Sequence, residues 1–396
     1  MNISSVAKGL SKTEPGQPDL VLPAHFGLPL VSVIIVNYNY GRYLEEAVDS
    51  VFAQNYSNIE CIIVDNGSTD ESPTVLAALA ERHPQVIIIR RGSNDGQIAA
   101  SLDGFARSCG QYVIFLDADD ILLPHCLETH IYVHLSSRIH VGFTSGDMLQ
   151  ALKGEIVVST GEAQNSYIRS GRGRRPDLWR SYRAERGWPP AHIGEDLSLK
   201  ARYVPPLCTR WVWAPTSGLC YRRDAITLFA DNEHLRTLWT ACDVYFAQAI
   251  GGWCGSILID EPLFIYRLHG SNIFSQTAQL NHTLNYKPGG AGDSTNMAKA
   301  LIVDQLIGHS ARFAQNLLFK LQLIILLFGL SGKEADRDLP RWAKRSSVAH
   351  RLVMHFDQFA AQFGRPTTLL LMLLFRVPLP VIWRCGRSTS QSAPEA

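Results

Sequence analysis

The chain has 396 residues, 46% hydrophobic and 18% charged, which excludes a disordered chain and allows a large core. Its 37 Lys and Arg nearly balance 36 Asp and Glu, so no nucleic-acid partner is expected. The eight scattered cysteines include no C-x-x-C pair and read as free thiols in a reducing compartment. The first residues carry no apolar stretch behind a basic one, so a cytoplasmic protein is expected.

Residues 1–28 read as a flexible leader. Apolar, β-branched runs follow at 31–36, 61–64, 86–89 and 112–116, separated by helical patterns at 43–54, 73–83 and 97–108. Short continuous runs of this kind predict parallel strands covered on both faces and joined by right-handed crossovers, an α/β fold. Two further strands are expected at 138–150 and 155–160, meeting at Lys153-Gly154. Residues 161–210 form a basic, Trp-containing insert, after which a strand at 217–221, a helix at 243–250 and strands at 256–259 and 263–268 are expected.

In an open parallel sheet the ligand site lies beyond the carboxyl ends of the strands. The residues there are Asn37-Tyr38-Asn39, then Asp65 to Asp70, then Arg90 to Gly96, then Asp117-Ala118-Asp119-Asp120. No G-x-G-x-x-G follows a strand and no G-x-x-x-x-G-K-[ST] occurs, which removes the main support for dinucleotide and P-loop readings. Three carboxylates within four residues repel unless a cation sits among them, and hard oxygen donors suit Mg2+ or Mn2+ shared with a diphosphate. The alternative for that cluster is an acidic turn, with Asp120 capping the next helix.

The stretches VSVIIVNYN, VDNGSTDES, NDGQIAASLDGFARSCGQYVIFLDADD and YRLHGSNI resemble, in order, the motifs of glycosyltransferase family 2, inverting metal-dependent enzymes of GT-A fold. The resemblance covers about residues 30–275. It implies a nucleotide-diphosphate sugar donor, with Asn37 and Tyr38 lining the base pocket, Asp65 bonding the base and Asp117 approaching the ribose. It also implies that Asn94, Gly96 and Gln97 shape the donor loop, that Asp119 holds Mn2+ or Mg2+, and that His269 lies near the ion or the diphosphate. A merely hydrogen-bonded loop histidine is the other reading of His269.

Inversion in one displacement needs a base on the acceptor face. The segment TACDVYFAQAIGG resembles the helix that carries it, making Asp243 the expected catalytic base, with Glu195-Asp196 as the rival and a plain helix-dipole charge as the structural alternative. Trp211, Trp213 and the run Arg172 to Arg175 are acceptor-floor candidates, or else core tryptophans and a solvated loop. No Q-x-x-R-W follows the base region, which favours transfer of a single sugar, to a saccharide or lipid-linked acceptor of surface polysaccharide assembly. The competing classes are a nucleotidyltransferase and an inactive, scaffolding family member.

The expected organisation is a GT-A catalytic domain at 29–280, with donor half 29–120 and acceptor half 121–280, and a helical extension at 281–396. Residues 301–396 hold twelve Lys or Arg against six Asp or Glu, around apolar runs at 312–330 and 367–383. Charge or proline breaks each run before the ~20 residues a span needs. Peripheral contact with a cytoplasmic leaflet and a helical cap on the catalytic domain are both open on this pattern.

Overall fold

The computed structural model describes residues 27–180, 197–270, 272, 292–334 and 338–387; Glu195 and Asp196 lie outside them. The chain first runs through β1 (Val31–Asn37), α1 (Gly41–Phe52), β2 (Ile59–Asp65), α2 (Ser72–Arg82), β3 (Ile87–Arg90), α3 (Gln97–Arg107), β4 (Tyr112–Asp117) and β5 (Ile121–Leu122). It continues through α4 (Cys126–Ser136), β6 (Phe143–Leu152), β7 (Glu155–Val158), α5 (Glu162–Arg169), α6 (Leu197–Lys200), β8 (Ala201–Val204), β9 (Leu219–Arg222), α7 (Arg223–Thr227), α8 (Cys242–Cys254) and β10 (Ser256–Leu268). Helices α9 (Gly292–Gly308), α10 (Ser310–Phe313), α11 (Leu317–Leu330), α12 (Arg341–Arg345), α13 (Ser347–Met354), α14 (Phe356–Phe363), α15 (Arg365–Leu374) and α16 (Leu379–Arg387) follow.

The strands among the described residues form one sheet, ordered β3-β2-β1-β4-β9-β6-β10-β5, with β7 on β6 and β8 on β10. The first four are parallel, as the crossover pattern requires, and their registers end together: Asn37 beside Asp65, Val36 beside Asp117, Asp65 beside Arg90. Alternation along β1 sends Val33 and Ile35 into a core with Leu44, Val48 and Leu76, and Ile34 into a second core with Ile62, Val64 and Ile98. Gly104 lets α3 lie close to that second face, because a Cβ there would stand 2.4 Å from Ile34 Cγ2.

Four expectations shift. The two strands expected at 256–259 and 263–268 are the single strand β10, whose register against β6 slips on either side of Pro262; proline has no N–H for the ladder, so a bulge accommodates it. Strand β9 begins at Leu219 because Thr216–Gly218 form one 3-10 turn, and it enters antiparallel to β4. Strand β6 begins at Phe143, after the 138–142 stretch. The insert is not wholly irregular, since it holds α5, α6 and β8.

The C-terminal helices meet the sheet layer through α9, whose Leu301, Ile302, Leu306 and Ile307 share a core with Tyr245, Phe246 and Ala249 of α8. A polar staple reinforces that contact: Asp304 forms an ion pair with Arg351, whose Nε is 2.9 Å away, lies 3.0 Å from His355 Nε2 and accepts from Asn232 at 3.2 Å. Among the described residues no helix is long and apolar enough to cross a membrane. None of the eight cysteines is disulfide-bonded.

Candidate active site

The loops beyond β1, β2 and β3 are fastened to one another by short polar side chains. Asn37 is fully buried and donates Nδ2 to Asp65 Oδ1 at 3.0 Å and to Ser72 Oγ at 2.9 Å. It thereby positions Asp65, while Tyr38 beside it is exposed. Among the described residues Asp65 Oδ2 takes no partner, so one carboxylate oxygen remains as an acceptor. Asn66 donates to Asn94 Oδ1 at 2.7 Å and to the Gly96 carbonyl at 3.1 Å, and Asn94 Oδ1 also accepts from Gly96 N at 3.0 Å.

Gly96 starts α3 at φ +90°, and a Cβ there would lie 2.7 Å from the Trp239 carbonyl oxygen. Only glycine suits both the dihedral and that approach. Gln97 N donates to the same carbonyl at 2.7 Å, and Gln97 Nε2 donates to Asp117 Oδ1 at 2.9 Å. Residue 239 thus ties the segment before α8 to the loop beyond β3. Its indole is 55% exposed.

Around the acidic turn, Ser217 Oγ donates to Asp120 Oδ2 at 2.6 Å and Arg267 N donates to Asp120 Oδ1 at 3.2 Å, so Asp120 is a buried brace between the turn after β4, the 3-10 turn before β9 and strand β10. Asp119 lies with Oδ2 2.9 Å from His269 Nε2. The imidazole stacks on Tyr43 of α1 with ring centres 4.7 Å apart, and Arg267 covers the same tyrosine at 4.8 Å while donating to the Asp119 carbonyl. Asn272 Oδ1 accepts from His269 N at 2.9 Å. The histidine is therefore oriented from three sides.

Charge accumulates here. Burial, then the charges of Asp119 and Asp243, push Asp117 up to about 8. Burial also raises Asp120 well above the ordinary carboxylate range, with Asp119 and Asp117 adding to it. Asp243, in the first turn of α8 with its carboxylate accepting from Val244 N at 2.8 Å, is pushed up to about 6 by burial. Its helix starts from Ala241 in the left-handed region at φ +71°, backbone strain of the kind that gathers at functional sites.

Among the described residues no three His, Cys, Asp or Glu side chains surround a common metal position. Asp119 and His269 offer two donors, one oxygen and one imidazole nitrogen, in a neighbourhood whose carboxylates are short of positive charge. That set fits Mn2+ or Mg2+ whose remaining ligands are diphosphate oxygens and water.

Trp213 is 1% exposed and donates Nε1 to Ser256 Oγ at 2.8 Å, with Trp211 packed edge-on against it. Trp213 is a core residue and Trp211 is half-buried against that core, because W-V-W enters the sheet layer before β9. Arg172, Arg174 and Arg175 are exposed, and Arg175 is held by Asp177. Tyr40, with its ring centre 5.5 Å from that of His269, flanks the site from the turn after β1, and Tyr43 and Trp239 flank it from α1 and the segment before α8. Tyr43 and Trp239 do not stand at a strand end, so only the pairing of distant segments reveals those two.

A parallel sheet with an acidic turn beyond β4 and a second, mixed half defines a nucleotide-sugar transferase fold of GT-A type. Residues 32–138 match the model of Glycosyl transferase family 2. A glycosyltransferase of Nostoc sp. is 32% identical over 286 residues, spanning 71% of this chain and 78% of that protein. Glycosyltransferase YibD of Escherichia coli is 26% identical over 264 residues, spanning 65% of this chain and 67% of that one. A crystal structure of S. aureus TarS in complex with UDP-GlcNAc superposes with a TM-score of 0.45 at 14% identity, over 87% of this chain and 91% of that one. The chain belongs to glycosyltransferase family 2 and is a glycosyltransferase.

Proposed function

We propose that the protein is a metal-dependent inverting glycosyltransferase that moves one sugar from a nucleotide diphosphate donor, UDP-linked, to a saccharide or lipid-linked acceptor of surface polysaccharide assembly. The observation that carries this reading is the joint ending of β1, β2 and β4 at Asn37, Asp65 and Asp117, with the Asp119–His269 pair and Asp243 in the same electrostatic neighbourhood.

In this reading Asp65 accepts a ring N–H of the base, Tyr38 covers its face and Asp117 meets the ribose. Asn94, Gly96 and Gln97 let the backbone approach the donor and hold Asp117. Asp119 and His269 hold Mn2+ or Mg2+, which when bound neutralises the departing diphosphate. Asp243 takes the proton of the acceptor hydroxyl as that oxygen bonds to the anomeric carbon and the bond to the diphosphate breaks on the opposite face. A carboxylate raised to about 6 is a stronger base than an ordinary one and still ionised at neutral pH. Residues 29–280 form the catalytic unit, 281–396 the extension, and the enzyme works in the cytoplasm at the inner face of the membrane.

The test incubates the purified full-length chain with UDP-, dTDP- and GDP-sugars and Mn2+ or Mg2+, and follows the anomeric proton of the released sugar by NMR. The reading expects a UDP-sugar to be consumed with an inverted first product. A retained first product would contradict it.

A further inference from the structure

We propose that the outer faces of α11, α15 and α16 form a docking surface for an anionic bilayer. On α11, Leu317, Leu321, Ile325 and Phe328 follow each other at three- or four-residue steps on one side, and Leu317 is 73% exposed. Phe328, at the end of that stripe, stacks on Phe375 with ring centres 4.6 Å apart, which carries the apolar face onto the end of α15, where Leu370, Leu373 and Leu374 are exposed. Helix α16 has no buried residue, although it carries Leu379 and Trp383 at 69% and 59% exposure. Scattered apolar residues on a surface are ordinary, but three neighbouring helices turning leucines outward are not.

Charge names the occupant. Residues 358–387 contain four Arg and no Asp or Glu, and Arg376, Arg384 and Arg387 are exposed beside these leucines. Arg387 lies 3.6 Å from the centre of the Trp383 ring, an aromatic and a cation side by side, as helices lying in a lipid headgroup layer present them. The 14 residues of α11 reach about 21 Å, short of the ~30 Å hydrocarbon core. The helices therefore lie on the leaflet. The opposite sides of the extension hold it to the enzyme, since α9 shares the core of α8: the inner helices are a cap and the outer ones a foot. This surface rests on the proposed membrane-side glycosyl transfer only for its use, because vesicle binding and donor binding are separate measurements.

The test is sedimentation of the full-length protein with phosphatidylglycerol/phosphatidylcholine vesicles and with phosphatidylcholine alone, at low and high salt, with UDP affinity measured on the same preparation. The protein is expected to sediment with the anionic vesicles at low salt and to be released by high salt. Arg384→Glu with Arg387→Glu should weaken binding by about tenfold or more. Leu379→Ser with Trp383→Ser should weaken it comparably, leaving Tm and UDP affinity unchanged because both side chains are exposed. Absence of sedimentation with anionic vesicles at low salt overturns the proposal. So does a dimer abolished by Leu379→Ser with Trp383→Ser in a protein that ignores vesicles, which would give the face to a second copy of the chain.

Discussion

Asp119 and His269, 150 positions apart in the chain, meet with Oδ2 and Nε2 2.9 Å apart, and the histidine is oriented by Tyr43 stacking and by Asn272. A pair held this firmly should bind a cation more tightly than either side chain alone. His269→Ala is expected to raise the Mn2+ concentration needed for half-maximal donor binding by about 10- to 100-fold, with the fold intact. Titration of Mn2+ followed by thermal shift in the presence of UDP checks this; an unchanged midpoint would remove His269 from the metal site.

Asp243→Asn should lower sugar transfer by about 10²- to 10⁴-fold while leaving donor affinity unchanged if, as proposed, its carboxylate meets the acceptor and not the nucleotide. Burial puts its folded pKa at about 6, above the ordinary 3.8. The base must be ionised, so kcat/KM should rise with pH through about 6 and fall away below it. A rate flat from pH 5 to 7 in the wild type contradicts the assignment.

Gly96→Ala combines a left-handed φ of +90° with a Cβ 2.7 Å from the Trp239 carbonyl oxygen. The backbone must shift, and stability should fall by ~1–3 kcal/mol. Turnover should drop as well, because Gln97 and Asp117 move with it. Urea denaturation and steady-state kinetics of the variant measure both effects, and an unchanged denaturation midpoint would show that the close approach is absent in solution.

His130 and His134 on α4 lie far from the site and set an acid limit. Burial lowers them to about 3 and about 4 from the ordinary 6.5, with His134 adding to the effect on His130. Both are neutral in the fold, whereas the unfolded chain binds their protons below about 6.5. Stability is thus whole above that pH and falls as pH drops, by up to about 1.4 kcal/mol per unit for each histidine. Urea midpoints between pH 7 and 4.5 for the wild type and for His130→Gln should diverge in that sense; identical slopes would contradict it.

The parallel half of the fold is legible because each β-branched run is short and bounded, and a strand end can be read from where polarity returns. That places Asn37, Asp65 and Asp117 at the carboxyl ends of their strands and Asp119 just beyond β4. The mixed half is less legible. Strand β9 enters antiparallel from a distant segment, and nothing local distinguishes it from a parallel strand. Trp211 and Trp213 leave two readings open in the sequence, since a tryptophan next to a basic insert has no local mark of burial, and Trp213 takes the core one. Trp239 and Tyr43 gain their place only when α8 and β10 fold back on α1 and α3, and the stacking of His269 on Tyr43 joins segments no periodicity connects.

The most direct test of the account is calorimetric titration of UDP into the full-length protein with and without Mn2+, repeated on Asp65→Ala and Asp119→Asn. The account predicts that Mn2+ tightens UDP binding at least about tenfold in the wild type, that Asp119→Asn abolishes this gain, and that Asp65→Ala weakens binding by ~1–3 kcal/mol with or without the ion. UDP affinity that is the same with and without Mn2+ in the wild type, or untouched by Asp65→Ala, would contradict it.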